Sequence, residues 1–398
     1  MLTGMDVSSM ELMLPEEAER SVDDVTFELV REASMLAGRV YPLVQNAIGA
    51  LVRSMNCYYS NPIEGHETHP RDIERALVQD FSAEPRKCVL QLEAVAHIAV
   101  QQRIDQGDDP QDWPTSRAYV EWLHRAFSER LPDELLWVEN PDTGEQLRVE
   151  PGELRRREVL VGRHLPPDAD DLPRFLMRFE QAYNPTRLSQ VRQVEAVGAA
   201  HHRLLWIHPF LDGNGRVTRL MSHAMFKRLG IGTSPWSVSR SLARDAQRYK
   251  ALLAAADAPR RGDRDGRGAL TQAGLVEFCD FFLRTCLDQV RYMTSILEPQ
   301  ELLRRIEAYA DDEARAGRLP KGAYPVLREA LLTGELSRGD AGRLTGYQEQ
   351  KGREVVSALL AKGLLAATTQ SHKSAVRLGF PIDVVERWFP RLYPAGLS

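Results

Sequence analysis

The chain has 398 residues, 43% hydrophobic and 27% charged, a composition typical of a soluble globular protein with two or three domains. Its net charge of −5 argues against a chain-wide affinity for nucleic acid, although a local basic surface is still allowed. The four cysteines lie far apart without a CxxC spacing, which favours reduced thiols in a cytoplasmic protein over disulfides or a zinc site. We expect neither a signal peptide nor a membrane helix, because no basic segment precedes an apolar run and no apolar run is long enough to span a bilayer.

The chain up to about residue 300 has mostly helical periodicity. Apolar residues recur at three- and four-residue steps through most of the first hundred residues, which predicts amphipathic helices. Between Leu136 and Leu165 short alternating runs surround the turn-forming sequence NPDTG, which predicts one or two β-hairpins. The helical period returns on both sides of His208 and in a long helix over 275–297, which follows the charged, glycine-rich and presumed solvated loop PRRGDRDGRG.

The last hundred residues have a different order of elements. A helix, a short helix with a turn, a longer helix and a polar hairpin-like segment follow one another, which is the order of a winged helix-turn-helix. From Pro320 onwards 11 Lys and Arg residues stand against 7 Asp and Glu residues, so this segment is net positive. Both DNA binding and contact with a protein partner, including a second copy of the chain, fit this pattern.

The densest cluster of chemically capable residues is the segment HPFLDGNGRVTR, from His208 to Arg219. Helical periodicity on both sides places it in a loop between two helices, with Pro209 ending the first. Gly213 and Gly215 permit backbone conformations in which successive N–H groups converge at a helix N-terminus. The segment therefore predicts a cradle for phosphate groups.

The side chains around this cradle have the chemistry of phosphoryl or nucleotidyl transfer. Arg216 and Arg219 lie three residues apart on one helix face, so both can reach the outer phosphates of a nucleotide. Asp212 can supply an oxygen ligand to Mg²⁺, and His208 can take a proton from an incoming hydroxyl. A zinc site that includes His201 has no supporting HExxH spacing, so we interpret His201 as a structural residue beneath the loop.

The segment resembles the signature of the Fic proteins, HPFx[DE]GNGRxxR, and matches it at every position. The resemblance implies a mainly helical core that transfers AMP from ATP to a Ser, Thr or Tyr hydroxyl of a target protein, self-modification included. Its GNGR form is similar to the AMP-transferring branch rather than to the branch that phosphorylates its target. The residues that the resemblance assigns are the general base His208, the Mg²⁺ ligand Asp212, the anion-hole residues Gly213, Asn214 and Gly215, and the phosphate ligands Arg216 and Arg219.

A second match lies far upstream of this signature. The segment from Ser60 to Gly65, SNPIEG, is similar to the family's inhibitory motif [ST]xxxE[GN], in the position found in the branch with an N-terminal inhibitory helix. The resemblance implies that Glu64 pairs with Arg219 and keeps the γ-phosphate from binding productively. This is physically reasonable, because a carboxylate opposite a phosphate-binding arginine takes the place of the anion.

Two more segments are similar to parts of the family. PGELRRREVLVGRHLPP resembles the β-hairpin flap that holds the target by main-chain pairing, although its RRR run also fits a solvated loop. The flap residues proposed for target docking are Arg157, Val159, Val161 and Gly162. RDAQRYKALL resembles the segment that borders the adenine, so Tyr249 is either a stacking residue or a core aromatic, and the family often has a second aromatic residue where this chain has Lys250.

We therefore predict a mainly α protein with a Fic-type core, a small β-hairpin flap and a C-terminal winged helix-turn-helix. The predicted regions are 1–112, helical with the inhibitory motif, 113–298, the catalytic core, and 299–398, the winged helix. The predicted function is an ATP- and Mg²⁺-dependent protein adenylyltransferase restrained by Glu64, with no membrane contact. Two alternative functions stay open: a hydrolase that removes AMP with the help of Glu64, and a nucleotide-sensing transcriptional regulator. Formation of a homodimer also stays open.

Overall fold

The protein is mainly helical, as the sequence predicted. The structure is a computed structural model that describes residues 5–16, 20–39, 42–140, 143–232, 235–369, 371 and 374–393. The N-terminal helices are α1 (Arg20–Arg39), α2 (Pro42–Ile63), α3 (Pro70–Leu77) and α4 (Pro85–Gln106). Helix α4 ends where Gly107 takes a left-handed φ of 79°, a conformation that costs glycine little because it has no Cβ.

The middle of the chain supplies the buried centre of the molecule. Its elements are α5 (Arg117–Ser128), β1 (Trp137–Glu139), β2 (Gln146–Arg148), α6 (Leu172–Ala182), α7 (Gln190–Ile207), α8 (Asn214–Arg228), α9 (Ser239–Arg244), α10 (Ala246–Ala256) and α11 (Gln272–Ile296). Helices α7 and α11 are buried around most of their circumference, and α1 packs along both. Each starts at a hydroxyl cap, Ser189 for α7 and Thr271 for α11, which accepts a hydrogen bond from a main-chain N–H of the first turn.

Only the first half of the predicted hairpin region forms paired strands. Strands β1 and β2 are antiparallel, with Val138 opposite Leu147. The predicted strand around Val159 and Val161 is absent, and the segment ends in a tight turn closed by main-chain hydrogen bonds of 3.0 Å between Val161 and His164. Upstream of that turn, the N–H of Arg155 donates to the carbonyl of Pro209 at 2.9 Å instead of to a neighbouring strand.

The last part of the chain has the predicted order of elements. These are α12 (Pro299–Arg315), α13 (Ala323–Thr333), α14 (Ala341–Thr345), α15 (Glu349–Ala361), β3 (Leu365–Ala367), β4 (Val376–Leu378) and α16 (Ile382–Trp388). Strands β3 and β4 are antiparallel, and Leu336 bonds to Val376 on the other edge of β4. Part of the predicted wing, at 370, 372 and 373, lies outside the described residues. The winged-helix assignment itself stays a prediction.

The segment after α16, residues 389–393, is called the tail here, and it packs back onto the N-terminal helices. The Tyr59 hydroxyl on α2 donates to the carbonyl of Leu392 at 2.9 Å, and the ring of Tyr393 lies edge-on to the ring of Tyr58. Buried apolar residues from the three predicted regions form one continuous cluster. Among the described helices, none combines the length and the apolar character needed to cross a membrane.

Candidate active site

The segment from His208 to Arg219 forms a tight loop followed by the first turns of α8. Helix α7 ends where His208 takes a left-handed φ of 48°, and α8 begins after Gly213, whose φ is 78°. Asn214 braces the loop with its side chain, accepting from the N–H of Phe210 at 3.0 Å and donating to the carbonyl of Phe210 at 2.8 Å. The first N–H groups of an α-helix have no acceptor within the helix, so those of α8 could bind an anion; the phosphate cradle itself stays a prediction.

Arg219 is held by two residues of the predicted inhibitory motif. Its Nη2 donates to Glu64 Oε1, and its Nε donates to Ser60 Oγ at 2.9 Å. Glu64 lies in the turn that ends α2, and this turn is completed by Gly65 with a left-handed φ of 84°. The Arg219 side chain is 2% exposed and the Glu64 side chain 31%. The structure thus brings Glu64 to the arginine expected to bind the γ-phosphate.

Gly213 and Gly215 are constrained to glycine for different reasons. Gly215 lies within α8 and is absent from the glycines with positive φ, so the backbone there needs no glycine. Its missing side chain matters for space, because a Cβ at this position would collide with Oε1 of Glu64. Gly215 therefore makes room for the carboxylate that pairs with Arg219, whereas Gly213 supplies the special backbone conformation.

Arg216 is also paired with a carboxylate, which the sequence analysis did not predict. Its Nη2 donates to Glu93 Oε2 at 2.5 Å and lies 3.3 Å from Nδ1 of His66, and its guanidinium carbon lies 5.3 Å from the centre of the Phe127 ring. The Arg216 side chain is 6% exposed and the Glu93 side chain 13%. The one available signal was that Glu93 is the single acidic residue in the apolar helical run 89–100.

The imidazole of His208 is kept neutral by its surroundings. Burial and, less strongly, the nearby Arg155 guanidinium together lower the pKa of His208 to about 4. Nδ1 of His208 is buried without a hydrogen-bond partner among the described residues. Arg155 Nε donates to the His208 carbonyl at 2.9 Å, so Arg155 supports the loop and is not part of a solvated RRR face. A neutral imidazole at this position can accept a proton.

Comparison with known proteins finds a family and relatives for part of the chain. Residues 114–226 match the model of the Fic/DOC family. Residues 114–226 therefore form a Fic/DOC-type domain within the chain. The protein adenylyltransferase Fic of Drosophila erecta is 43% identical over 82 residues, which make up 21% of this chain and 17% of that protein. The corresponding protein of Drosophila ananassae is 43% identical over 82 residues, 21% of this chain and 16% of its own length. The match thus spans less than a fifth of these curated relatives.

Two solved Fic structures share the fold. A Fic family protein from Desulfovibrio desulfuricans G20 has a TM-score of 0.53 at 19% identity, over 92% of this chain and 98% of that one. A Fic domain containing signaling protein from Bacteroides thetaiotaomicron has a TM-score of 0.50 at 18% identity, over 68% of this chain and 95% of that one. At these identities the likeness establishes the fold alone.

The Fic motif supplies one carboxylate ligand for a metal ion. Asp212 is exposed at the mouth of the loop, and no cluster of three or more His, Cys, Asp or Glu residues suited to a metal occurs in the described part of the chain. Mg²⁺ commonly binds through one or two carboxylates together with substrate phosphates and water. The single carboxylate of Asp212 fits an ion of this kind that arrives with a nucleotide.

The predicted flap and adenine residues have different surroundings. Arg157 and Gly162 are exposed, Val159 is half-buried, and Val161 is exposed in the turn, where its main-chain N–H and carbonyl bond to His164. Target docking by this segment stays a prediction. Tyr249 is 2% exposed, and its hydroxyl lies 2.7 Å from Nε2 of His201. The ring is therefore enclosed in the core beneath the motif, and stacking on an adenine stays a prediction.

Proposed function

We propose that the protein is an adenylyltransferase that transfers AMP from ATP to a hydroxyl group of a target protein, and that Glu64 restrains it. The ion pair between Glu64 and Arg219 carries the proposal, because it places a carboxylate where the motif would bind a phosphate. Support for the activity comes from the full Fic signature and from relatives named protein adenylyltransferase Fic. The division into residues 1–112, 113–298 and 299–398 belongs to the same proposal.

The proposed reaction uses His208 as the general base. Its neutral imidazole takes the proton of a Ser, Thr or Tyr hydroxyl, whose oxygen then bonds to the α-phosphorus of ATP. The bond from that phosphorus to the bridging oxygen breaks, and pyrophosphate leaves. Main-chain N–H groups at the start of α8 and the guanidinium of Arg216 would stabilise the negative charge. Bound Mg²⁺, held by Asp212 and the phosphates, would supply further charge neutralisation.

The proposed restraint acts through Arg219. A guanidinium binds carboxylate and phosphate oxygens with the same N–H groups, so the Glu64 carboxylate competes with the γ-phosphate. Burial alone would raise the pKa of Glu64, but the charge and hydrogen bond of Arg219 outweigh it and hold that pKa below its usual value. Glu64 thus stays ionised at neutral pH and keeps its hold on the arginine.

A comparison of variants with α-labelled ATP tests the proposal. We expect Glu64→Gly to raise self-modification at least about tenfold, since loss of one charge-assisted contact is worth more than about 1.4 kcal/mol. Glu67→Gly, three residues further on and exposed, is the matched control and should behave as the parent. Adding His208→Ala to Glu64→Gly should abolish incorporation. A Glu64→Gly protein no more active than the parent refutes the restraint, and activity that survives His208→Ala refutes the base.

The donor and the chemistry are tested together by mass spectrometry. The Glu64→Gly protein is exposed to an equal mixture of the four nucleoside triphosphates, and the mass added to the protein is measured. The proposal expects the mass of AMP. The mass of another nucleotide would change the donor, and the mass of a single phosphate would replace adenylyl transfer by phosphorylation.

The alternative of AMP removal is supported by the closeness of Glu64 to the base. The charge of Glu64 acts on the pKa of His208, so the carboxylate lies within electrostatic range of the imidazole and could orient a water molecule. Release of AMP from a previously modified target by the parent, lost in Glu64→Gly, would favour the hydrolase.

A regulatory role through the winged helix would require strongly salt-dependent, sequence-selective DNA binding by the full chain.

A further inference from the structure

A cavity of about 510 Å³ lies between α2, α9, α11 and the tail. We call it the tail cavity, and the residues that matter in it are Tyr59, Arg240, Arg244, Tyr292, Glu386 and Arg391. Its volume lies in the range of small-molecule sites. None of these residues belongs to the Fic signature or to the inhibitory motif.

Among the described residues, none of the three arginines of the tail cavity forms an ion pair, although the Glu386 carboxylate lines the same cavity. Arg240 is 3% exposed, and only neutral groups contact it: its Nη2 donates to the carbonyl of Arg391 at 2.7 Å and its Nη1 to Gln289 Oε1 at 3.2 Å. Its Nε is buried with no hydrogen-bond partner in the described part of the protein. A buried guanidinium without a counter-charge is costly, so an anion would complete this site.

The arginines of the Fic motif provide a contrast with Arg240. Arg216 and Arg219 are buried to a similar degree, and each is bonded to a carboxylate. Arg240 bonds to the main-chain carbonyl of Arg391 instead of to a carboxylate. The backbone of Arg391 has a left-handed conformation there, with a φ of 66°. Such a φ is unfavourable for a residue with a Cβ. A phosphate oxygen would be a better acceptor for the Arg240 guanidinium than this carbonyl.

The remaining groups of the cavity point to a ligand larger than a bare anion. The guanidinium carbon of Arg240 lies 3.7 Å from the centre of the Tyr292 ring, one face of which it covers, and 5.9 Å from that of Tyr59, so aromatic rings border the charged part. Glu386 adds one acceptor, and its Oε1 is buried without a hydrogen-bond partner among the described residues. Guanidinium groups, aromatic rings and a single acceptor match a phosphate, a planar base and a hydroxyl or amino group.

We propose that the tail cavity binds a nucleoside phosphate, with its phosphate on Arg240, Arg244 and Arg391 and a hydroxyl or amino group on Glu386. This second nucleotide site does not depend on the proposed transfer activity. The ligand displaces the carbonyl of Arg391 from Arg240.

Equilibrium dialysis of the full-length protein tests the site. The nucleotide site of the motif is first disabled with Arg216→Gln and Arg219→Gln, and labelled AMP is then titrated. One saturable site per chain is expected. Arg244→Ala and Arg391→Ala, which change exposed side chains, should each weaken binding about tenfold, the effect of losing one charge-assisted contact. Arg343→Ala, at an exposed arginine of α14, is the matched control and should leave binding unchanged.

Further arms separate the competing outcomes. Arg240→Gln should remove binding while its unfolding transition remains cooperative, and labelled ADP and the other nucleoside monophosphates show which base is preferred. Absence of saturable binding for all of these nucleotides overturns the proposal, as does binding that Arg244→Ala and Arg391→Ala leave unchanged. Inorganic phosphate that competes as well as AMP would overturn the nucleoside part and leave a phosphate site only.

Discussion

The two arginines of the Fic motif are paired with carboxylates from different parts of the N-terminal helices. Glu64 lies in the turn that ends α2, and its side chain is 31% exposed. Glu93 lies in the middle of α4, and its side chain is 13% exposed. Helix ends fray and open at low cost, whereas the middle of a packed helix moves only with the surrounding core. The same ion-pair chemistry therefore gives a detachable contact at Arg219 and a fixed one at Arg216.

This difference predicts different roles for the two ion pairs. A guanidinium has five N–H donors, so Arg216 can keep Glu93 on one side and still offer donors to a phosphate. Arg219 is held by both Ser60 and Glu64, which leaves fewer donors for a ligand. In the proposed mechanism, release of Glu64 would change access to the site, whereas Glu93 would keep Arg216 in place. Each of the variants below tests one side of this contrast.

The largest stability effect is expected for Glu93→Gln. Loss of one partner of a buried ion pair typically costs about 3–5 kcal/mol, and we expect about 3 kcal/mol in the free energy of unfolding because Glu93 is slightly exposed. Glu64→Gln should cost only about 1 kcal/mol, because its more exposed pair is nearer the surface case. Urea unfolding of both variants measures the difference. Equal losses would show that the two ion pairs contribute equally to the free energy of unfolding.

The next effect concerns the space between Gly215 and Glu64. Gly215→Ala should destabilise the parent, because the new Cβ meets the Glu64 carboxylate. In the Glu64→Gly background the same change should stabilise by up to about 1 kcal/mol, since alanine favours a helix over glycine. A double-mutant cycle from thermal unfolding should give a coupling of about 2 kcal/mol. Additive effects would mean that the carboxylate does not lie over Gly215.

A smaller effect is expected at Ser60. Ser60→Ala removes one hydrogen bond to Arg219 but leaves the Glu64 carboxylate, so the restraint should weaken by about 1 kcal/mol, or about fivefold in self-modification. Ser54→Ala on the same helix is the control. The rate of AMP incorporation should rank parent and control lowest, then Ser60→Ala, then Glu64→Gly. A Ser60→Ala protein as active as Glu64→Gly would shift the restraint from the carboxylate to the hydroxyl.

The smallest effect should be that of pH. The pKa of Glu64 is lowered, so the ion pair stabilises the folded state above the usual carboxyl pKa and loses this contribution only as the pH falls through the lowered value. The pKa of His208 is about 4, so the base also stays neutral over the same range. The ratio of Glu64→Gly to parent activity should thus be constant between about pH 8 and 5.5. A ratio that falls towards one in this window would contradict the lowered pKa of Glu64.

The family and the mainly helical fold were predictable because both depend on local patterns. The signature fits within twelve residues, and helical periodicity needs only a short window. The partner of Arg216 was not predictable, because Glu93 is 123 residues away and no local pattern joins them. Glu64, 155 residues from Arg219, was found only through the resemblance of its motif. The spatial constraint on Gly215 was not predictable either, because it is a close approach by the distant Glu64 side chain.

The contact between Tyr59 and Leu392 joins residues 333 positions apart. During synthesis the motif helix α8 leaves the ribosome well before the tail does, and at about 5–20 residues per second the delay is on the order of ten seconds or more. Folding of the N-terminal helices and the motif is fast on that scale. A newly made chain therefore has Glu64 and Arg219 available for pairing before α2 receives its last support. The contact of the tail with α2 can therefore form only after the pairing of Glu64 with Arg219 has become possible.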